Sequence, residues 1–174
     1  LEGSYWFDME GAPRNARLVQ TVAGVSEGET YRLKFAIADT DTAQASDTVT
    51  VYWGGQVVYT GIPKNKWQEI TIDVVGGAGD GSNKLEFAST TVNPNGAGMA
   101  LDKVSMVWID QNPNLIVNGS FEDLTGASNG NWSGDWGYRN DNGIIAGWTQ
   151  VNGAGGGRAE LHFDTQNGVG AKDG

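Results

Sequence analysis

The chain has no cysteine, a single histidine, and only 11 lysines and arginines among 174 residues. Without cysteine there is no disulfide framework, no thiol nucleophile and no cysteine-ligated zinc. The lone His162 speaks against histidine-based catalysis, because a Ser-His-Asp arrangement needs an activated serine beside it and no G-x-S-x-G turn occurs. The 21 acidic residues bring the formal charge to −10. That balance excludes a binder of phosphate backbones, which needs clustered Lys and Arg to displace counterions, so no nucleic-acid partner is expected. No run approaches the ~20 apolar residues of a membrane helix and no signal peptide is recognisable, so no membrane insertion is expected. Proline is scarce, at 4 residues, while glycine reaches 27. Together they stay below the ~25–30% of low-complexity chains. The length suits one domain, assigned to residues 1–174. A domain of this size buries enough apolar surface unaided, so the missing cysteines leave secretion open.

What is present is a period of two. Leu33, Phe35 and Ile37 alternate with Arg32, Lys34 and Ala36; Val49, Val51 and Trp53 alternate with Thr48, Thr50 and Tyr52; Ile70, Ile72 and Val74 alternate with Glu69, Thr71 and Asp73. Strict alternation puts one face on a core and one in water, as in antiparallel sheets. Gly54-Gly55 reads as a two-residue hairpin turn, and 76–81 and 93–98 are further turn clusters. Nothing sustains helical spacing. About ten short strands between Gly- and Asn-rich turns predict an all-β antiparallel sandwich. In the strand around residues 99–108 the apolar phase slips between Leu101 and Val104. This predicts a bulge at Asp102-Lys103 and makes Asp102 a partly buried carboxylate in need of a cation.

The run N-L-I-V-N-G-S-F-E over residues 114–122, followed by Gly147-Trp148, resembles the opening of carbohydrate-binding-module-like jelly rolls of the galactose-binding-domain type. Residues 18–22, 28–31 and 159–162 agree with that family, and Ala100-Leu101-Asp102-Lys103-Val104 is similar to its closing L-D-[ND]-V strand. Such modules recur in bacterial secreted proteins and repeats-in-toxin surface adhesins, which implies an extracellular or cell-surface setting. The opening motif here follows the closing one. The resemblance therefore implies a jelly roll in circularly permuted order, 114–174 then 3–110. The rotated order is either engineered, with Leu1-Glu2 resembling a cloning remnant, or the mark of a fragment cut out of phase from a tandem array. Sandwich termini commonly lie close together, so a monomer is expected, with a domain-swapped dimer as the alternative.

In the family, the acidic residue after Phe and the Asp of the closing strand help hold a structural calcium together with backbone oxygens. The resemblance thus implies Ca2+ at Glu122 and Asp102, with Asp123 and the oxygens around Asn118 as further ligands. Calcium takes six to eight oxygens. The acidic loop from Asp39 to Asp47 lacks the sixth-position Gly of an EF-hand, having Gln44 there, and reads as a solvated turn, with a second calcium as the alternative. The Gly-rich run at 76–80 is a single copy with its Asp one position early, so it is no calcium-binding nonapeptide.

The stretch 131–139 is the most unusual. Trp132, Trp136 and Tyr138 lie among Gly, Asn and Asp, with Asp135 and Arg139 beside them. Flat apolar rings stack on sugar C–H surfaces while carboxylate, amide and guanidinium groups hydrogen-bond hydroxyls; the competing reading is a loop folded over the sandwich edge. Trp53, Trp67, Trp108 and Trp148 fall in core-like patterns, and Trp6 is ambiguous. The expectation is a non-enzymatic, calcium-stabilised carbohydrate-binding module of an adhesin or secreted protein. The alternatives are a structural spacer without a ligand of its own and, third, a hydrolase using paired carboxylates.

Overall fold

The computed structural model describes residues 3, 5–10, 15–40, 47–92, 98–109, 113–125, 131–133, 136–138, 144–151 and 160–163, with only the backbone at 80, 131–133, 136–138, 144, 150 and 160–163. Two antiparallel sheets form a β-sandwich. The first sheet runs, in spatial order, β13 (Glu160–Phe163), β1 (Tyr5–Asp8), β8 (Met99–Trp108), β3 (Thr30–Asp39) and β6 (Gln68–Val75). The second runs β11 (Ile144–Ile145), β12 (Trp148–Val151), β2 (Arg17–Thr21), β7 (Lys84–Ser89), β4 (Val49–Trp53) and β5 (Gln56–Gly61). A separate two-stranded ribbon pairs β9 (Asn131–Ser133) with β10 (Trp136–Tyr138). The one helical turn among the described residues is a 3-10 turn, Asp80–Ser82, inside the 76–81 glycine cluster.

The alternation does what it predicts. Tyr31, Leu33, Phe35 and Ile37 of β3 are buried, as are Val49, Val51 and Trp53 of β4. Gly54 and Gly55 have φ of 55° and 81°, the left-handed pair a tight hairpin of the primed type requires. The bulge lies where the phase slips. Lys34 pairs with Ser105 but Ala36 with Asp102, so Phe35 faces two residues of β8. Lys103 takes a φ of 55° there, which turns Val104 and Met106 inward after Met99 and Leu101.

A chain of aromatic contacts ties the sheets together. Phe35 meets Phe87 edge-on with centroids 5.1 Å apart, and Phe87 meets Trp148 at 6.1 Å. Trp148 meets Phe121 at 5.6 Å, and Phe121 meets Phe7 at 4.8 Å. The segment around 114–121 thus enters the core, but not as a strand. Its Leu115 N donates to Met106 O at 2.7 Å, and Val104 N donates to Gly119 O at 2.8 Å, so it lines the edge of β8 beyond the stretch paired with β1. Leu115 packs partly buried against the core that holds Phe121, but Val117 does not. Val117 is 57% exposed, whereas Ile116 and Phe121 are buried. Left-handed backbone at Asn118 (φ 50°) and Phe121 (φ 60°) breaks the period of two. At the opposite edge of β1, Tyr5 pairs with Phe163, so the end of β13 lies beside the start of β1.

Candidate functional site

The N-G-S-F-E turn is built from strained backbone and a closed set of hydrogen bonds. The Asn118 carbonyl accepts from the Trp148 indole at 3.0 Å and from Phe121 N at 3.2 Å. Its side-chain amide donates to Asp123 O and accepts from Asp123 N, at 2.8 and 2.9 Å. Asp123 Oδ1 in turn accepts from Thr125 N at 2.9 Å. Hydrogen bonds from Thr125 hold the Asp123 carboxyl below its usual range. Glu122 reaches across to β1, where Oε1 accepts from Tyr5 N at 2.7 Å. Asp102 is 1% exposed, and its Oδ1 accepts from Lys103 N at 2.6 Å. It follows Leu101, which pairs with Phe7 of the same strand that Glu122 caps.

The opening turn and the closing strand are therefore spatial neighbours. Among the described residues, however, no three Asp, Glu or His side chains converge closely enough to hold a metal ion. The Asn118 amide bonds the Asp123 backbone and Asp123 Oδ1 accepts from Thr125 N, while Asp102 and Glu122 flank the turn from β8 and its far end. Two carboxylates supply only part of the six to eight oxygens, and backbone carbonyls would have to complete the shell.

The aromatic residues divide between two places. Trp53 is buried in the core with its indole donating to Val75 O at 2.7 Å, and Trp148 is buried as described. Trp108 packs partly buried on the core and donates to Glu29 Oε2 at 3.1 Å. Trp67 leaves this set, because it stands against Trp6 outside the main core, rings edge-on at 6.5 Å. Trp6, 1% exposed, rests on Ala38 and Ala100 there. Alternation sends Phe7 inward and Trp6 to the outer face of the five-stranded sheet. Small residues on the neighbouring strands make the floor that an indole needs.

The backbone pairing sets His162 across from Trp6 and Glu160 across from Asp8. The β9–β10 ribbon lies beside β13. In it Trp136 pairs with Ser133, Trp132 with Gly137 and Tyr138 with Asn131. The side chains of Trp132, Trp136 and Tyr138, and all of Asp135 and Arg139, lie outside the described residues.

Sequence reasoning missed the buried acids at one end of the sandwich. Asp39 and Asp47, expected in a solvated turn, are 8% and 1% exposed. Segments from elsewhere in the chain cover them, and local composition carries no sign of that. Glu10, just beyond β1, is fully buried. Its Oε1 accepts from the Ser89 hydroxyl at 2.6 Å and from the Thr91 hydroxyl, while Oε2 has no hydrogen-bond partner. Oε2 lies where a side chain on Gly98 would begin, 2.6 Å from an added Cβ, so the seat requires glycine opposite.

No protein-family profile matches this chain, and no curated protein does. Solved structures do match, among them PbXyn10C CBM in its apo form, a carbohydrate-binding module. The identity is 18% and the TM-score 0.50, covering 93% of this chain and 88% of that one. At that identity the likeness speaks for the fold: a β-sandwich of the kind carbohydrate-binding modules use. No helix among the described residues is long and apolar enough to cross a membrane.

Proposed function

We propose that the chain is a non-enzymatic carbohydrate-binding module of a bacterial secreted or cell-surface protein, stabilised by calcium and serving in an adhesin. The observation that carries this reading is the aromatic ribbon β9–β10, set beside β13 at the edge of a module-like sandwich. Trp132, Trp136 and Tyr138 supply stacking surfaces, and Asp135 and Arg139 supply hydrogen bonds to hydroxyls. Aromatic faces are sequence-encoded at a position where the neighbouring sheet already carries Trp6 and Trp67. A glycan array tests it. The wild type is expected to bind a defined subset of glycans, and the double variant Trp132→Ala, Trp136→Ala to lose at least about tenfold in affinity, the scale of one or two lost stacking contacts. Its melting temperature should stay unchanged. Retained binding by the folded variant would overturn the assignment, and an intact module that binds no glycan would be a spacer.

Calcium belongs at the junction of opening turn and closing strand, with Asp102 and Glu122 as the side-chain ligands. A bound ion would pin the turn to β8 and to β1 by electrostatic attraction. At a hundredfold excess over Kd it adds about 2.7 kcal/mol to the folded state, which for a chain of this length raises Tm by roughly 5–10 °C. Chelation should remove that increment in the wild type and have no effect in Asp102→Asn. A melting temperature indifferent to chelator would count decisively against the ion.

A further inference from the structure

The outer face of the five-stranded sheet carries a second groove, away from the aromatic ribbon. Three cations stand on it. Arg32 is bonded to Asp73 through two contacts of 3.0 and 3.1 Å, and Lys103 to Glu69 at 2.7 Å. Lys103 also holds the Glu69 carboxyl below its ordinary range. Lys34 differs. Its cross-strand neighbours are Thr71 on β6 and Ser105 on β8; among the described residues no hydrogen bond or ion pair engages its ammonium, although its charge helps to hold the Glu69 carboxyl down. Lys34 is an exposed lysine beside two hydroxyl-bearing residues, in a protein whose formal charge is −10.

Two adjoining clefts meet there. One, of about 120 Å³, lies between Lys34, Glu69, Lys103 and Ser105. The other, of about 330 Å³, continues past Lys103 and Ser105 to Asn114 and Ser120. The larger falls within the size range of small-ligand sites. Its walls offer hydrogen-bonding groups the fold leaves unused. Among the described residues the hydroxyls of Ser105 and Ser120 make no hydrogen bond, and Asn114 uses only Oδ1, which accepts from Met106 N and Ile116 N. The groove is also where the backbone is strained. The three described non-glycine residues with left-handed backbone are Lys103, Asn118 and Phe121; the first two line the larger cleft and the third closes its turn. Such conformations cluster at ligand-binding positions. Left-handed backbone suits Asn, Asp or Gly, yet position 103 carries a lysine.

We propose that this groove binds a uronic-acid unit of an acidic glycan, with the carboxylate at the Lys34 ammonium beside the Ser105 hydroxyl and the ring hydroxyls toward Asn114 and Ser120. One ammonium without a hydrogen-bonded ion pair fits a single carboxylate, and the neutral donors around it fit a polyol. A polyphosphate would meet Glu69 and the overall negative charge with nothing further to neutralise it. The site shares only its ligand class with the aromatic-ribbon reading and none of its residues.

Tetragalacturonate and its methyl ester, which removes the charge and keeps the rings, are the probes, titrated calorimetrically at constant free calcium. The acid should bind about tenfold tighter than the ester, the scale of one charge-assisted hydrogen bond. That preference should shrink as salt rises. Lys34→Gln should abolish the preference without changing Tm, since Lys34 is exposed. Ser105→Ala should weaken the acid more than the ester, and Ser120→Ala should weaken both alike. A preference that persists in Lys34→Gln, or a wild type that binds neither probe, overturns the proposal. The ribbon variant Trp132→Ala, Trp136→Ala separates the two readings. A Lys34-dependent preference that survives in it supports the groove even if no neutral glycan binds. Loss of neutral-glycan binding there, with Lys34→Gln behaving as wild type, leaves the ribbon standing and removes the groove.

Discussion

Replacing Trp148 with alanine is expected to lower the unfolding free energy by about 3–5 kcal/mol, the range for truncating a buried tryptophan. Trp148 is 1% exposed and stands between Phe87 and Phe121, linking β7 of one sheet to the turn that flanks β8 of the other. Truncation would open a cavity where the aromatic chain crosses the core, and it would also remove the indole bond to Asn118 O. Trp148→Phe separates the two contributions. It keeps most of the apolar contact and loses only the donor, and because Asn118 O still accepts from Phe121 N, the loss should be about 1 kcal/mol. Urea unfolding monitored by circular dichroism measures both. A loss below about 1 kcal/mol for the alanine variant would mean that the indole does not hold the sheets together.

The alternation of β3 and β4, the glycine turn at 54–55 and the bulge at Lys103 were legible because each is written locally, in a period or in its interruption. The covering of the outer face was not. Alternation assigns Trp6 to the side away from Phe7, but Trp67 buries that ring from some sixty positions along the chain, and no local pattern announces the meeting. The buried acids follow the same logic. Glu10 sits under Ser89 and Thr91, and the ring of hydroxyls assembles only when β1 and β7 end at the same edge of the sandwich. The 114–121 segment is irregular for a different reason. Asparagine tolerates left-handed backbone well enough to turn the chain, and at Asn118 that preference outweighs the apolar alternation around it. The turn at 114–122 lies against β8 through the Val104 N to Gly119 O bond and against β1 through Glu122, so opening turn and closing strand are neighbours. Motif resemblance pointed to that proximity, and periodicity alone would have missed it.

The same turn contains the position least tolerant of a side chain. Gly119→Ala is expected to destabilise the protein by about 3 kcal/mol or more, at or beyond the upper end for overpacking a closed site. A Cβ on Gly119 would lie 1.7 Å from the Val104 carbonyl oxygen, with the Ile116 side chain at 3.2 Å. The obstructing atom is backbone in the central part of β8, so it cannot rotate away as a side-chain tip can. Relief would require the turn to lift from β8, which breaks the Val104 N to Gly119 O bond at 2.8 Å and draws Phe121 out of the core. Gly81→Ala is the matched control. No atom lies within 4 Å of its added Cβ and its backbone is not left-handed, so it should be neutral or stabilising by about 0.4–1 kcal/mol through loss of unfolded-state freedom. If both variants melted alike, the glycine in the N-G-S-F-E turn would be dispensable for packing. If Gly119→Ala alone melts early, the steric fit against Val104 accounts for glycine at that position, and amide exchange at Val104 should rise with it, because the turn and the strand edge would open together.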